Sequence, residues 1–159
     1  MIKVAALVAL GVVPVVAQQI QPITIAELLA ARSDSTRVYV RNFWATWCKP
    51  CIEELPIFDT LARRMPEITI ELVSLDAPAD SMRLRAFWQR RGFGAVHVFH
   101  LVERLRTEQI DAISPAWSGA IPMTIIERGA QRIVHEGELT LPEAIELIEQ
   151  VRKWSFTEP

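Results

Sequence analysis

Residues 44–56 read Trp-Ala-Thr-Trp-Cys-Lys-Pro-Cys-Ile-Glu-Glu-Leu-Pro, and they hold both cysteines of the chain, Cys48 and Cys51. Just upstream, residues 37–44 (RVYVRNFW) are β-branched and aromatic, with alternation at Val38 and Val40, which predicts a strand running directly into the cysteines. Downstream, Ile52, Leu55, Phe58, Leu61 and Ala62 recur at three- and four-residue spacing, which predicts a helix over 50–65. Pro50 fits the first turn of that helix. Pro56 falls well inside it and is expected to bend or interrupt it. Both thiols are therefore expected at a strand-to-helix junction.

That position decides their chemistry. A thiol is a nucleophile only as the thiolate, and a helix N-terminus favours the anion through its unpaired N–H groups and positive dipole end. Cys48 takes that place, with Lys49 adding charge and Pro50 standing where its missing N–H costs nothing. Both effects pull the Cys48 pKa below the ~8.5 of a free thiol. Cys51, one helical turn on, is placed to attack back and resolve a mixed disulfide. A bridge over so short a segment removes little unfolded-chain entropy, so stabilisation is a poor reason for it. Trp44 and Trp47 are both expected to give rigid apolar surface around the sulfurs, keeping solvent off one side and giving a partner peptide something to lie on.

Glu53 and Glu54 separate by helix face. Glu54 is three residues after Cys51 and shares its side, whereas Glu53 points roughly 100° away into solvent. Glu54 is thus the candidate base for the Cys51 proton if burial raises its pKa; a solvated helix residue is the other reading.

The rest of the chain predicts a helix over 24–32 opened by the capping box Thr24 to Glu27, and a buried strand over 68–75. A helix over 81–91 closed by Gly92 and a strand over 96–101 follow. Residues 103–118 are polar, with one short helical piece at most. A hairpin joins strands 123–127 and 131–135, and a final helix runs from Thr140 to about Trp154. The order, α β α β α β, an irregular stretch, then β β α, gives an α/β fold with a mixed central sheet and helices on both faces. Sites in such sheets collect where strand C-termini feed helix N-termini, as at Cys48.

The 159 residues make one domain; half are apolar, 23% are charged and the net charge is −2, with no basic tract for a nucleic acid. A monomer is expected. Residues 1–17 pair Lys3 with an apolar run from Val4 to Val16 and a small-residue cleavage pattern ending at Ala17, which reads as a secretory signal preceding a domain over 18–159. The run is shorter than the ~20 residues of a spanning helix. Export to the periplasm or cell envelope follows.

Rival readings fare worse. A zinc site on Cys48 and Cys51 lacks a second ligand pair, since His97 and His100 sit three apart in a strand and face opposite sides, and His135 is isolated. Thr46 precedes Cys48 by two residues rather than the three of a peroxiredoxin thiol. A non-catalytic client-binding module would not require two cysteines, the intervening proline and Glu54. The arginines of 81–91 read as a solvated face, with Phe87 and Trp88 packed inward.

Asn42 to Cys51, Glu54-Leu55-Pro56 and Ile121-Pro122-Met123-Thr124 together resemble the thioredoxin superfamily, and within it the exported TlpA/ResA-like thiol–disulfide oxidoreductases. The resemblance implies a thioredoxin core with Cys48 exposed and Cys51 more buried. It implies a cis-proline at Pro122 facing the disulfide, with the Ile121 backbone pairing to a substrate strand and Trp47, Lys49 and Pro50 on the substrate side. Glu54 is implied to deprotonate Cys51. Protein thiols and disulfides would be the partners, with a membrane electron donor, no metal and no cofactor beyond the Cys48–Cys51 disulfide. Asn42 stands where cytoplasmic thioredoxins carry a buried aspartate, and it cannot act as a base. Lys49 is unusual between the cysteines, and Trp117 in the long 103–120 stretch is expected near Pro122, either packing or helping to choose partners.

Overall fold

The computed structural model describes residues 19–30 and 35–153. Its elements are β1 (Gln21–Ile23), α1 (Ile25–Ala30), β2 (Tyr39–Trp44), α2 (Lys49–Arg64), β3 (Thr69–Ser74), a 3₁₀ turn (Pro78–Asp80), α3 (Ser81–Arg91), β4 (His97–Leu101), α4 (Thr107–Ile113), β5 (Met123–Arg128), β6 (Gln131–Glu136) and α5 (Leu141–Lys153). The strands form one sheet in the order β1-β4-β3-β2-β5-β6. The first four run parallel, and β5 and β6 return antiparallel as the hairpin. The mixed sheet with helices on both faces is the architecture expected from the order of elements.

Alternation along the strands sorts the core into two layers. One face buries Val40, Trp44, Ile70, Leu72 and Val98 under Leu55, Phe58 and Leu61 of α2, Leu84 and Trp88 of α3, and Ile148 and Val151 of α5. The other buries Phe43, Val73, Leu101 and Ile125 under Ile25 and Leu28 of α1, Ile113 of α4 and Trp117. Asn42 shares the parity of Val40 and Trp44, so it looks toward α2. Both expected capping boxes are present: Thr24 N–H donates to Glu27 Oε2 and Thr140 N–H to Glu143 Oε2, each at 2.8 Å. Gly92 closes α3 at φ 67°, the left-handed conformation that favours glycine.

Three expectations need correction. β1 was not expected: three residues with Pro22 inside carry no readable period, yet an edge strand tolerates a proline and pairs with β4. Pro56 does not interrupt α2, which runs on to Arg64; the proline takes the exposed side, and only the Ile52 carbonyl loses its amide partner. The one short helical piece expected in 103–118 is α4, with Ile113 anchored in the core. Trp44 offers no surface to a partner: it is fully buried against Phe87 and Trp88, with ring centroids 5.7 and 5.9 Å away. The expected leader over 1–17, the end of the first helix beyond Ala30 and Trp154 lie outside the described residues. Among the described residues no helix is long and apolar enough to cross a membrane.

Phe58 joins α2 to the sheet with none of its surface exposed. Phe58→Ala is expected to cost about 3–5 kcal/mol, read as a lower urea midpoint at unchanged slope; a midpoint like that of the parent would show that α2 is not held by this contact.

Candidate active site

β2 ends at Trp44 and α2 begins at Lys49, so the four residues between them must turn the chain from sheet to helix. Cys48 is the N-cap of α2, in extended conformation at φ −90°, ψ 101°. Its sulfur accepts the Cys51 N–H at 3.3 Å and its carbonyl accepts the Ile52 N–H at 3.1 Å. The sulfur thus occupies the place of a capping oxygen, satisfying one of the unpaired amides of the first turn. Cys48 and Cys51 are disulfide-bonded, with Cα atoms 5.3 Å apart. Cys51 is fully buried, and Cys48 is 6% exposed, so the expected order holds, but Cys48 lies recessed rather than open in the oxidised state. Trp47 beside it is 63% exposed. Lys49 projects into solvent and meets Glu53 at 3.5 Å, an exposed pair worth little in itself that spends part of the lysine charge away from the sulfurs. Pro50 is half-buried in the first turn.

The turn is fixed from below by Asp76, a residue that sequence reading missed because a lone aspartate after a strand carries no pattern. Its carboxylate receives the Thr46 N–H at 3.0 Å, the Thr46 hydroxyl and the Ser74 hydroxyl at 2.7 Å, with the Arg83 guanidinium 3.6 Å away. His100 Nε2 lies 3.0 Å from the Asp76 carbonyl. His97, three residues earlier, is exposed, so the two histidines do face opposite sides of the strand.

From the other side comes the segment before β5. The Ile121–Pro122 peptide bond is cis, and the Ile121 carbonyl oxygen is 3.8 Å from Cys48 Sγ. Trp117 holds this segment: its Nε1 donates to the Ala120 carbonyl at 2.7 Å and its ring packs on Phe43 at 4.9 Å. Being 3% exposed, Trp117 packs and has little surface to show a partner. The Ser118 amide and hydroxyl both donate to Glu136.

Glu54 is 2% exposed, which removes the solvated-helix reading. Asn42 Nδ2 donates to its Oε1 at 2.7 Å and the Leu139 N–H to its Oε2 at 3.0 Å. Burial pushes its pKa from the ordinary 4.5 up to about 7, with the Glu138 charge adding to the rise and the Leu139 and Asn42 donors opposing it. A carboxyl poised near neutrality, one helical turn from Cys51 on the same helix, is able to accept and return a proton at working pH.

No protein-family model matches the chain. It is 37% identical over 51 residues to a thiol-disulfide oxidoreductase ResA from Bacillus thuringiensis, a match spanning 32% of this chain and 30% of that protein. With a ResA from Halalkalibacterium halodurans the match is longer, 30% identical over 115 residues, 70% of this chain and 60% of that one. In three dimensions it superposes on a DsbF homologue from Corynebacterium diphtheriae with a TM-score of 0.58 at 18% identity, covering 73% of each chain. Over these segments the chain is similar to ResA, and its fold is thioredoxin-like. Its matched segments span less than two thirds of those ResA proteins' own lengths.

At this site the sequence named Cys48, Cys51, Glu54, Ile121 and Pro122, and the fold brings them together; Asp76, Leu139 and the contact of Thr124 with Asn42 came only from the structure. The Glu54 carboxyl also links stability to pH. An unfolded chain releases this proton near 4.5 and the folded chain holds it to about 7, so the folded state binds the extra proton and stability falls as pH rises between those values. Glu54→Gln should flatten that part of a plot of unfolding free energy against pH, and a slope equal to that of the parent would mean that Glu54 ionises normally.

Proposed function

We propose that this chain is a thiol–disulfide oxidoreductase that reduces protein disulfides in the cell envelope. One observation carries the reading: the Cys48 sulfur is the N-cap of α2, so an anion there accepts the Cys51 amide at the positive end of a 16-residue helix.

In the reduced protein the Cys48 thiolate attacks one sulfur of a substrate disulfide. The other substrate sulfur leaves as a thiolate, and Cys48 becomes half of a mixed disulfide. Glu54 takes the proton from Cys51 Sγ, and the Cys51 thiolate attacks Cys48 Sγ. The second substrate sulfur leaves as a thiolate, the Cys48–Cys51 bridge closes, and two electrons have passed to the substrate. The reverse sequence uses the same groups. No cofactor beyond the sulfur pair takes part in these steps. The exposed Trp47 and the Ile121 backbone beside Cys48 form the bed for a client strand, with Lys49 and Pro50 at its margin.

Export under the 1–17 leader, work as a monomer, and recharging by a membrane electron donor belong to the same proposal. They are supported by the leader pattern and by the need for reducing equivalents outside the cytoplasm.

The test is reduction of insulin disulfides by dithiothreitol with catalytic amounts of the protein. Cys48→Ser is expected to abolish the acceleration, and Cys51→Ser to accumulate a mixed disulfide visible on a non-reducing gel. A Cys48→Ser variant that keeps full activity would make the fold a client-binding module. Equilibration with glutathione then sets the direction: a potential near the ~−270 mV of thioredoxin or lower fits a reductant, and one near ~−120 mV a disulfide donor.

A further inference from the structure

The sheet face beneath α2 carries a polar group that the exchange steps leave unused. Asn42 is fully buried on β2. Its Nδ2 is doubly engaged, donating to Glu54 Oε1 at 2.7 Å and to Thr124 Oγ1 at 3.0 Å, while its Oδ1 has no hydrogen-bond partner among the described residues. A buried, unpaired amide oxygen is a standing cost that an apolar residue of similar size would avoid.

Both groups that Nδ2 meets are able to reverse roles. Glu54 Oε1 accepts when ionised and donates when protonated, and the Thr124 hydroxyl does either. Glu54 Oε2 differs, because its partner is the Leu139 backbone N–H, which only donates. A proton on Oε1 would set donor against donor at Asn42 Nδ2. Rotating the amide by half a turn puts Oδ1 in that place, where its two lone pairs accept both Glu54 Oε1–H and Thr124 Oγ1–H. Nδ2 then moves to the unpartnered position. Each orientation therefore leaves one amide end unpaired, and that penalty locks neither.

We propose that Asn42 is a two-way positioning residue for Glu54, donating to the carboxylate and, with its amide reversed, accepting from the acid. It touches neither sulfur. The proposal rests on the reading of Glu54 as the proton acceptor for Cys51: as the proton passes from Cys51 Sγ to Glu54 Oε1 the amide turns, and it turns back when the proton leaves. The charged and titratable groups around this pair are Glu138, in the loop before α5, and Cys51 on α2 once reduced. His135 of β6 reaches only the Glu138 carbonyl, at 3.3 Å. None of these replaces Asn42 as the partner of Oε1.

The test is NMR on the oxidised wild-type protein with labelled side chains, from pH 5 to pH 9. The Glu54 carboxyl carbon and the Asn42 Nδ2 group are expected to titrate with one midpoint, and nuclear Overhauser contacts between the Nδ2 protons and the Thr124 side chain to vanish on the acid side. Contacts that persist through the Glu54 titration overturn the proposal. The oxidised protein reports on the amide without any turnover. A chain that fails to reduce insulin while its Asn42 amide reverses would thus remove the oxidoreductase reading and leave the reversal standing.

Discussion

Everything at this site depends on one sulfur capping one helix. Cys48 Sγ takes the Cys51 amide at the start of α2, so the atom that would carry negative charge is already where a helix most favours it. That arrangement requires β2 to end and α2 to begin within four residues, a turn that would otherwise be free to wander. Asp76 prevents this by binding both the amide and the hydroxyl of Thr46, and Ser74, Arg83 and His100 hold Asp76 in turn. A carboxylate 1% exposed is expensive unless it is hydrogen-bonded several times over, and here it is. The cost of burying Asp76 is what makes the turn rigid.

Glu54 shows the opposite use of burial. Asp76 gathers donors from Thr46, Ser74 and Arg83, whereas Glu54 has two donors and sits against the sheet with Glu138 nearby, so its proton is held to about neutral pH. The two buried carboxylates serve different ends: Asp76 anchors the turn through its hydrogen bonds, and Glu54 is a group whose burial brings its proton affinity near neutrality. Strand parity supplies the difference. Asn42 faces α2 with Val40 and Trp44, while its neighbour Arg41 looks to the other side of the sheet and satisfies Glu71 at 2.7 Å. A one-residue slip of β2 would bring a guanidinium under α2 and fix Glu54 as an anion.

Most of the frame was legible because periodicity and caps are local. The helix starts at Thr24 and Thr140, the end at Gly92, the hairpin and the junction around Cys48 are all written in stretches of a few residues. Illegible were features whose cause is distant in sequence. β1 is three residues that become a strand only because β4 offers an edge. Pro56 promised a broken helix, but its exposed position lets packing at Leu55, Phe58 and Leu61 carry α2 through. Trp44 and Trp47 looked alike in the motif, yet Trp44 is the last residue of β2 and is buried in the core, while Trp47 stands in the turn beyond the strand and is left in solvent. Glu54 was identifiable as sharing a face with Cys51, but its proton affinity depends on Leu139, 85 residues on. Asp76 had no signal at all.

These restraints converge on Cys48 from both sides and leave little backbone to rearrange. The 114–122 segment is held by Trp117 against Phe43 and by Ser118 against Glu136, which sets the Ile121 carbonyl 3.8 Å from Cys48 Sγ. The turn below is held by Asp76. Exchange between sulfurs needs three atoms brought nearly into line, and much of the barrier to such a reaction is the entropy of arranging them. Here two of the three sulfurs are positioned by the fold before a substrate arrives. What must change in the proposed reaction is then confined to sulfur–sulfur bonds, the Glu54 proton and the Asn42 amide beside it. In the proposed exchange, the polar pocket of Asn42, Thr124 and the Leu139 amide around Glu54 is then where a change of proton must be accommodated.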